Sequence, residues 1–137
     1  MTDTHTQGAI QKMADKILEF VEGYQPASFV ELIRHLGQDA VGDYDVMVPT
    51  RPKLVQWVNI SSLFIEALNL VKDKLFEEPC SYIIYAMDGG MLNLPIATRL
   101  DHEEYHWLPT LLRIRTPELQ EEIDQAREEK SQKQALQ

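Results

Sequence analysis

The sequence predicts a single α+β domain, and three observations predict it. A wide apolar stripe at helical spacing runs from Ala9 to Gly23. A capping signature opens a second helix at Ser28. A β-rich run, Cys80 to Met87, meets the tight-turn sequence Asp88-Gly89-Gly90 and a returning segment, Met91 to Thr98. The 137 residues suit one domain with a real core, and 44% apolar and 26% charged residues are ordinary globular values.

In the first helix Ile10, Met13, Ala14, Ile17, Leu18, Phe20, Val21 and Tyr24 form the stripe, and Gly23 supplies a stop. Such a stripe is expected to serve as core or as a dimer face. Ser28-Phe29-Val30-Glu31 matches the capping box, and that helix continues to Leu36 before Gly37. Residues 38–58, broken by Gly42, Pro49 and Pro52, read as a long insertion. Within it Val46-Met47-Val48 suits a short strand, and Val55, Trp57 and Val58 suit the core.

A third helix is expected over Ile60 to Leu75, capped by Asn59 or Ser61 and burying Phe64, Ala67, Leu68 and Val71. The glycine turn then joins the two strands of a hairpin. Pro95, which cannot donate to a ladder, puts the second strand at an edge. Arg113 and Arg115 alternate with Leu112 and Ile114 as in a half-exposed strand. Thr116-Pro117 opens a last helix with a thin stripe of Leu119, Ile123 and Ala126, fraying beyond Glu129. The expected organisation is a polar tail at 1–8, a domain at 9–116 and a C-terminal helix at 117–137.

Charge and targeting narrow the function classes. The net charge of −9 disfavours sequence-blind binding to nucleic acid, which depends on basic residues releasing counterions. No apolar run suits a membrane span, and Met1 to Gln11 lacks the layout of a signal peptide, so no membrane partner and a cytoplasmic location are expected. The single cysteine, Cys80, follows Glu77, Glu78 and Pro79, a setting that suits a small buried hydrophobe and not a nucleophile.

The order helix, connector, helix, helix, hairpin with a glycine turn resembles the winged helix-turn-helix superfamily over roughly Ala9 to Thr98. The resemblance implies a three-helix core with a β-hairpin wing, to which this chain adds a C-terminal strand and helix. It places Ile60–Leu75 as the recognition helix and Asp88-Gly89-Gly90 at the wing tip. The chain departs from that pattern in two places. Residues 38–58 intervene where the motif has a turn of about 3–4 residues. The outer face of the third helix carries Ser62, Ile65, Glu66, Asn69 and Asp73, and two acids there would repel phosphates.

That face is therefore read as a surface for a partner protein, and the leading expectation is a non-catalytic protein-interaction or dimeric regulator-like module. Dimerisation through terminal helices is what the resemblance implies for a self-partner, and a two-fold pair is the default oligomer. The alternative is a DNA-binding regulator, in which Arg51, Lys53, Arg99, Arg113 and Arg115 make a basic patch on phosphates. An acidic mimic of nucleic acid is a further reading that the charge permits.

One motif needs weighing against these. His102-Glu103-Glu104-Tyr105-His106 matches H-E-x-x-H, in which His102 and His106 on one helix face bind zinc and Glu103 acts as general base. Glu104, Pro109 soon after, and the strand-like residues before the motif all argue against that helix. The bland reading is a polar turn leading into Trp107. No cofactor, metal or catalytic residue is expected on balance.

Overall fold

The structure, a computed structural model, describes residues 5–135 of the chain. It is an α+β domain of five helices and six strands among those residues. Helix α1 spans Gln7–Tyr24, with the Thr6 hydroxyl accepting from the Ala9 N–H. It therefore starts inside the expected 1–8 tail, of which residues 1–4 lie outside the described residues. Strand β1 (Ala27–Ser28) leads into α2 (Phe29–Leu36). The capping box there is closed, with Glu31 N–H donating to Ser28 Oγ and Ser28 N–H to Glu31 Oε1.

Residues 38–58 are not an irregular insertion. A short 3₁₀ turn (Gly37–Ala40) leads into a hairpin of β2 (Val41–Val48) and β3 (Arg51–Ile60). Pro49, which reads as a breaker, and Thr50 make its tight turn, with Thr50 in the left-handed region at φ 64°. Irregular pairing along β2, where Val41 and Tyr44 both face Ile60, masks the alternation that would have revealed the strands. Buried Val46, Leu54, Val55 and Ile60 hold the hairpin to the core.

Helix α3 is shorter than expected, Ser62–Val71, followed by a 3₁₀ turn (Lys72–Lys74). Ser61 is its cap: Ser61 Oγ accepts from Phe64 N–H and donates to the Asp39 carbonyl. Ile60 ends β3, and Leu75 begins β4 (Leu75–Pro79).

The expected hairpin over Cys80–Thr98 does not form. Tyr82–Met87 is helix α4, capped by Ser81, and the returning segment is a loop that pairs with a strand residue at an Ile96–Trp107 bridge. A short apolar run cannot be assigned by periodicity alone, and tertiary contacts decide here. A helical turn carries Tyr85 inward, where it is fully buried and its hydroxyl bonds both Phe29 N–H and the Thr110 carbonyl. Asp88-Gly89-Gly90 is the end of that helix, with Gly89 at φ 85°; a helix stop and a hairpin turn ask for the same residue.

Strands β5 (His106–Trp107) and β6 (Thr110–Ile114) complete two sheets. One has the order β1-β6-β4, all antiparallel. The other has the order β2-β3-β5, with β5 parallel to β3. The core lies between α1, α2, α3 and these sheets, and it takes most of the stripe of α1: Ile10, Met13, Ala14, Ile17 and Val21 are buried and Leu18 and Phe20 partly so, while Tyr24 is exposed. Helix α5 (Pro117–Ala135) follows Thr116, whose hydroxyl accepts from Leu119 N–H. Its backbone stays helical past Glu129, where fraying was expected; side chains from 130 onward lie outside the described residues. No helix among the described residues is long and apolar enough to cross a membrane.

Candidate functional site

The expected partner face on α3 is brought together only in part. Glu66 and Asn69 are exposed one turn apart on α3, and Asp73 is exposed in the 3₁₀ turn that follows it. Ile65 is not an exposed anchor; it is partly buried against the core, and Leu70 is the apolar side chain that α3 exposes. Ser62 is half-buried and engaged at 2.8 Å with the His5 imidazole.

The five basic residues are held at separate stations. Lys53 Nζ lies 4.3 Å from the centre of the Tyr105 ring. Arg99 pairs with Asp101 within its own loop. Arg113 Nε donates to Glu78 Oε1 at 2.7 Å across the β4–β6 ladder. Arg115 faces Gln120 and the Phe76 ring. Arg51 is exposed at the start of β3. Three of the five, Lys53, Arg113 and Arg115, are tied to a carboxylate or an aromatic ring on a different element or loop.

Residues 102–106 do not form the helix that the zinc motif requires, because the segment turns into β5 at His106. His102 Nε2 accepts the N–H groups of Thr98 and Arg99 at 3.2 and 3.4 Å. His106 Nδ1 donates to the Glu104 carbonyl at 2.9 Å. The two rings lie against each other instead of converging on a point, and Glu103 is exposed. Among the described residues no group of three or more His, Cys, Asp or Glu side chains is placed to hold a metal ion.

The surface that sequence reasoning missed lies in the connection between β4 and β6. Of the twelve large apolar side chains exposed in the described structure, eight fall in residues 82–105: Tyr82, Ile83, Ile84, Met87, Met91, Ile96, Leu100 and Tyr105. Met87, at 81% exposure, and Met91, at 55%, flank the helix stop. Reading the segment as a hairpin hid this, since a hairpin would bury every second residue.

The segment is nonetheless firmly seated. Tyr85 anchors α4, its ring tilted against Trp57 and edge-to-face with Trp107. Burial pushes its hydroxyl pKa well above the usual range, so it acts as a neutral bonding group. Asp88 Oδ2 accepts from Ser28 Oγ at 2.9 Å, and Arg34 donates to the Asp88 carbonyl at 2.7 Å, which ties the helix stop to both ends of α2. Gly90 passes so close to Val30 and Trp57 that a Cβ there would lie 2.5 and 3.0 Å from them. Cys80, just before α4, has its thiol pushed up to about 11 by partial burial and then by Glu78 and Asp88, which removes the thiolate at neutral pH.

Where the 89–93 loop crosses β3 it leaves an open groove of about 530 Å³. Ile33, Val41, Trp57, Val58, Met91 and Leu92 line it. Asn59 and Asn93 supply its only side-chain amides, and none of its lining residues is charged. Such a trough offers burial and a few amide bonds. No family of known proteins, no curated protein and no solved structure matches this chain.

Proposed function

We propose that this chain is a protein-interaction domain built on a winged-helix-like frame, with the β4–β6 connection as its contact surface. The observation that carries the reading is the gathering of eight of the twelve exposed large apolar side chains in residues 82–105. Apolar side chains concentrated in one short, well-anchored segment mark association surfaces in soluble proteins. Methionines at the centre of such a surface adapt to a partner's shape.

The frame is supported by element order. Three helices alternate with a sheet of order β1-β6-β4, so the first strand pairs with the last and the last with the middle one. In that comparison β4 and β6 are the wing strands, and the β2–β3 hairpin is inserted between α2 and α3. Glu66 on the outer face of α3 and Asp73 in the turn just past its end support a protein partner over DNA.

The test is affinity capture with wild type and an Ile83→Asp/Met87→Asp variant, followed by reconstitution from purified components. A partner kept by wild type, lost by the variant and rebuilt as a defined complex is the expected result. Salt-sensitive binding to random duplex DNA that an Arg51→Ala/Lys53→Ala/Arg99→Ala variant loses would replace this reading with a nucleic-acid regulator.

A further inference from the structure

Two polar side chains where the sheets meet are only half satisfied. Among the described residues, Gln56 Oε1 and Glu77 Oε1 are buried without a hydrogen-bond partner. Gln56, on β3, is 2% exposed. Its Nε2 donates to Glu77 Oε2 on β4 at 3.1 Å and to Thr110 Oγ1 on β6 at 3.4 Å. The Thr110 hydroxyl is itself committed to the Leu108 carbonyl. These bonds fix the amide's orientation, because only its nitrogen can donate to the carboxylate. One acceptor oxygen is left over on each of Gln56 and Glu77. With Thr110, Val48, Pro79 and Leu108 these two residues line a cavity of about 130 Å³. Val48, Glu77 and Leu108 are half-buried and Pro79 is exposed, so the cavity opens to solvent.

The lining selects the chemistry of a guest. A buried acceptor that lacks a donor costs stability, so a guest that supplies N–H groups is favoured. Both free atoms are acceptors and one belongs to a carboxylate. That disfavours an anion and favours a cationic donor, whose bonds are charge-assisted. A hard metal ion takes about six or more oxygens. Here three of the six lining residues, Val48, Pro79 and Leu108, are apolar. An ammonium group on a short alkyl stem matches both halves of the lining.

We propose that this cavity binds a primary alkylammonium group. The nitrogen donates to Gln56 Oε1 and Glu77 Oε1, with a small turn of the half-buried Glu77 side chain to admit it, and the methylenes lie against Val48, Pro79 and Leu108. A free small amine and the side chain of a partner's lysine carry the same group. The site shares no residue with the 82–105 surface and stands independently of the interaction reading.

The test uses the full chain labelled with ¹⁵N. The Gln56 side-chain amide reports on the site, as does the Trp107 indole N–H, which donates to the Gln56 carbonyl at 3.2 Å. n-Propylammonium is expected to shift both resonances saturably, with a Kd of about 1–10 mM. Tetramethylammonium and potassium at matched ionic strength should leave them in place, since neither carries an N–H. Glu77→Gln should weaken propylammonium about tenfold or more. Glu78→Gln, at the neighbouring acid paired with Arg113, should keep it. Val48→Phe, which fills the cavity and leaves both acceptors in the chain, should abolish the shifts. Nα-acetyl-lysine methylamide binding at least as tightly as propylammonium would assign the site to a partner's lysine; propylammonium binding alone would assign it to a free amine. The same saturable shifts with tetramethylammonium or potassium would overturn the selection for an N–H donor. Equal affinity in wild type and Glu77→Gln would remove the carboxylate from the site and overturn the proposal as stated. No saturable shift up to about 100 mM propylammonium would sink it outright and leave the two oxygens to ordered water.

Discussion

The rings of His102 and His106 stack 3.6 Å apart, 12° from parallel. His102 Nε2 accepts two backbone N–H groups, so it must stay unprotonated to hold the turn at Thr98 and Arg99. Local burial first, then the charge of a protonated His106 and of Arg99, lower its pKa below the ordinary 6.5. The unfolded chain therefore binds more protons than the native one in this window. Its contribution to stability is full above about pH 6.5 and is lost as pH falls through the lower native value. An NMR titration should give a His102 midpoint below 6.5, and His106→Ala should raise it. A midpoint at or above 6.5 in wild type would remove the pair as the cause.

Tyr85→Phe keeps the ring and deletes one hydroxyl. It leaves the buried Phe29 N–H and Thr110 carbonyl without that partner. Chemical denaturation should show a loss of about 1–3 kcal/mol. A loss under about 0.5 kcal/mol would mean that water replaces the hydroxyl.

Two glycines should respond in opposite directions. Gly90→Ala drives a methyl against Val30 and the Trp57 ring and should cost about 1–3 kcal/mol as the loop lifts. Gly23→Ala, in the last turn of α1 with nothing within 4 Å, should stabilise by about 0.5–1 kcal/mol. Equal thermal shifts of the two variants would show that the loop is not seated as described.

Thr50 occupies the second position of the β2–β3 turn at φ 64°, a conformation that a β-branched residue adopts with strain. Thr50→Gly should therefore raise stability by about 0.5–1 kcal/mol in a thermal melt, despite the extra freedom it gives the unfolded chain. A lower melting temperature would place the turn in another geometry.

The Cys80 thiol should alkylate slowly at pH 8, and its rate should keep rising about tenfold per pH unit up to about pH 11. A plateau near pH 9, as for a free thiol, would contradict the burial seen here.

Elements closed by local chemistry were legible in the sequence. The Ser28–Glu31 box, the stripe of α1 and the Thr116 cap each depend on residues within one or two turns. The two misread segments depend on distant partners. Nothing near Tyr85 in sequence announces that Phe29 and Thr110 will draw it inward as a helix. Nothing in the Pro49-Thr50 turn announces that Trp57 and Val46 will pair across it. The exposed apolar side chains of residues 82–105 went unread for the same reason, since their exposure follows from the helix that replaced the expected hairpin. On α3 the helical period exposes Glu66 and Asn69, and the helix ends before Asp73, whereas Ile65 packs partly against the core through contacts the period cannot reveal.

Helix α5 has polar residues on nearly all sides, and Leu119 and Ile123 are its half-buried apolar contacts with the body. Its nineteen residues extend about 28 Å. A helix that buries so little is held mainly by its own hydrogen bonds and by side-chain pairs such as Gln120 with Asp124. Its amide protons should therefore exchange with solvent long before those of α1, at a rate set by local fraying. Cutting the chain within it would shorten a lever without loosening the body, which makes this helix the natural place for an attached label or a fused domain.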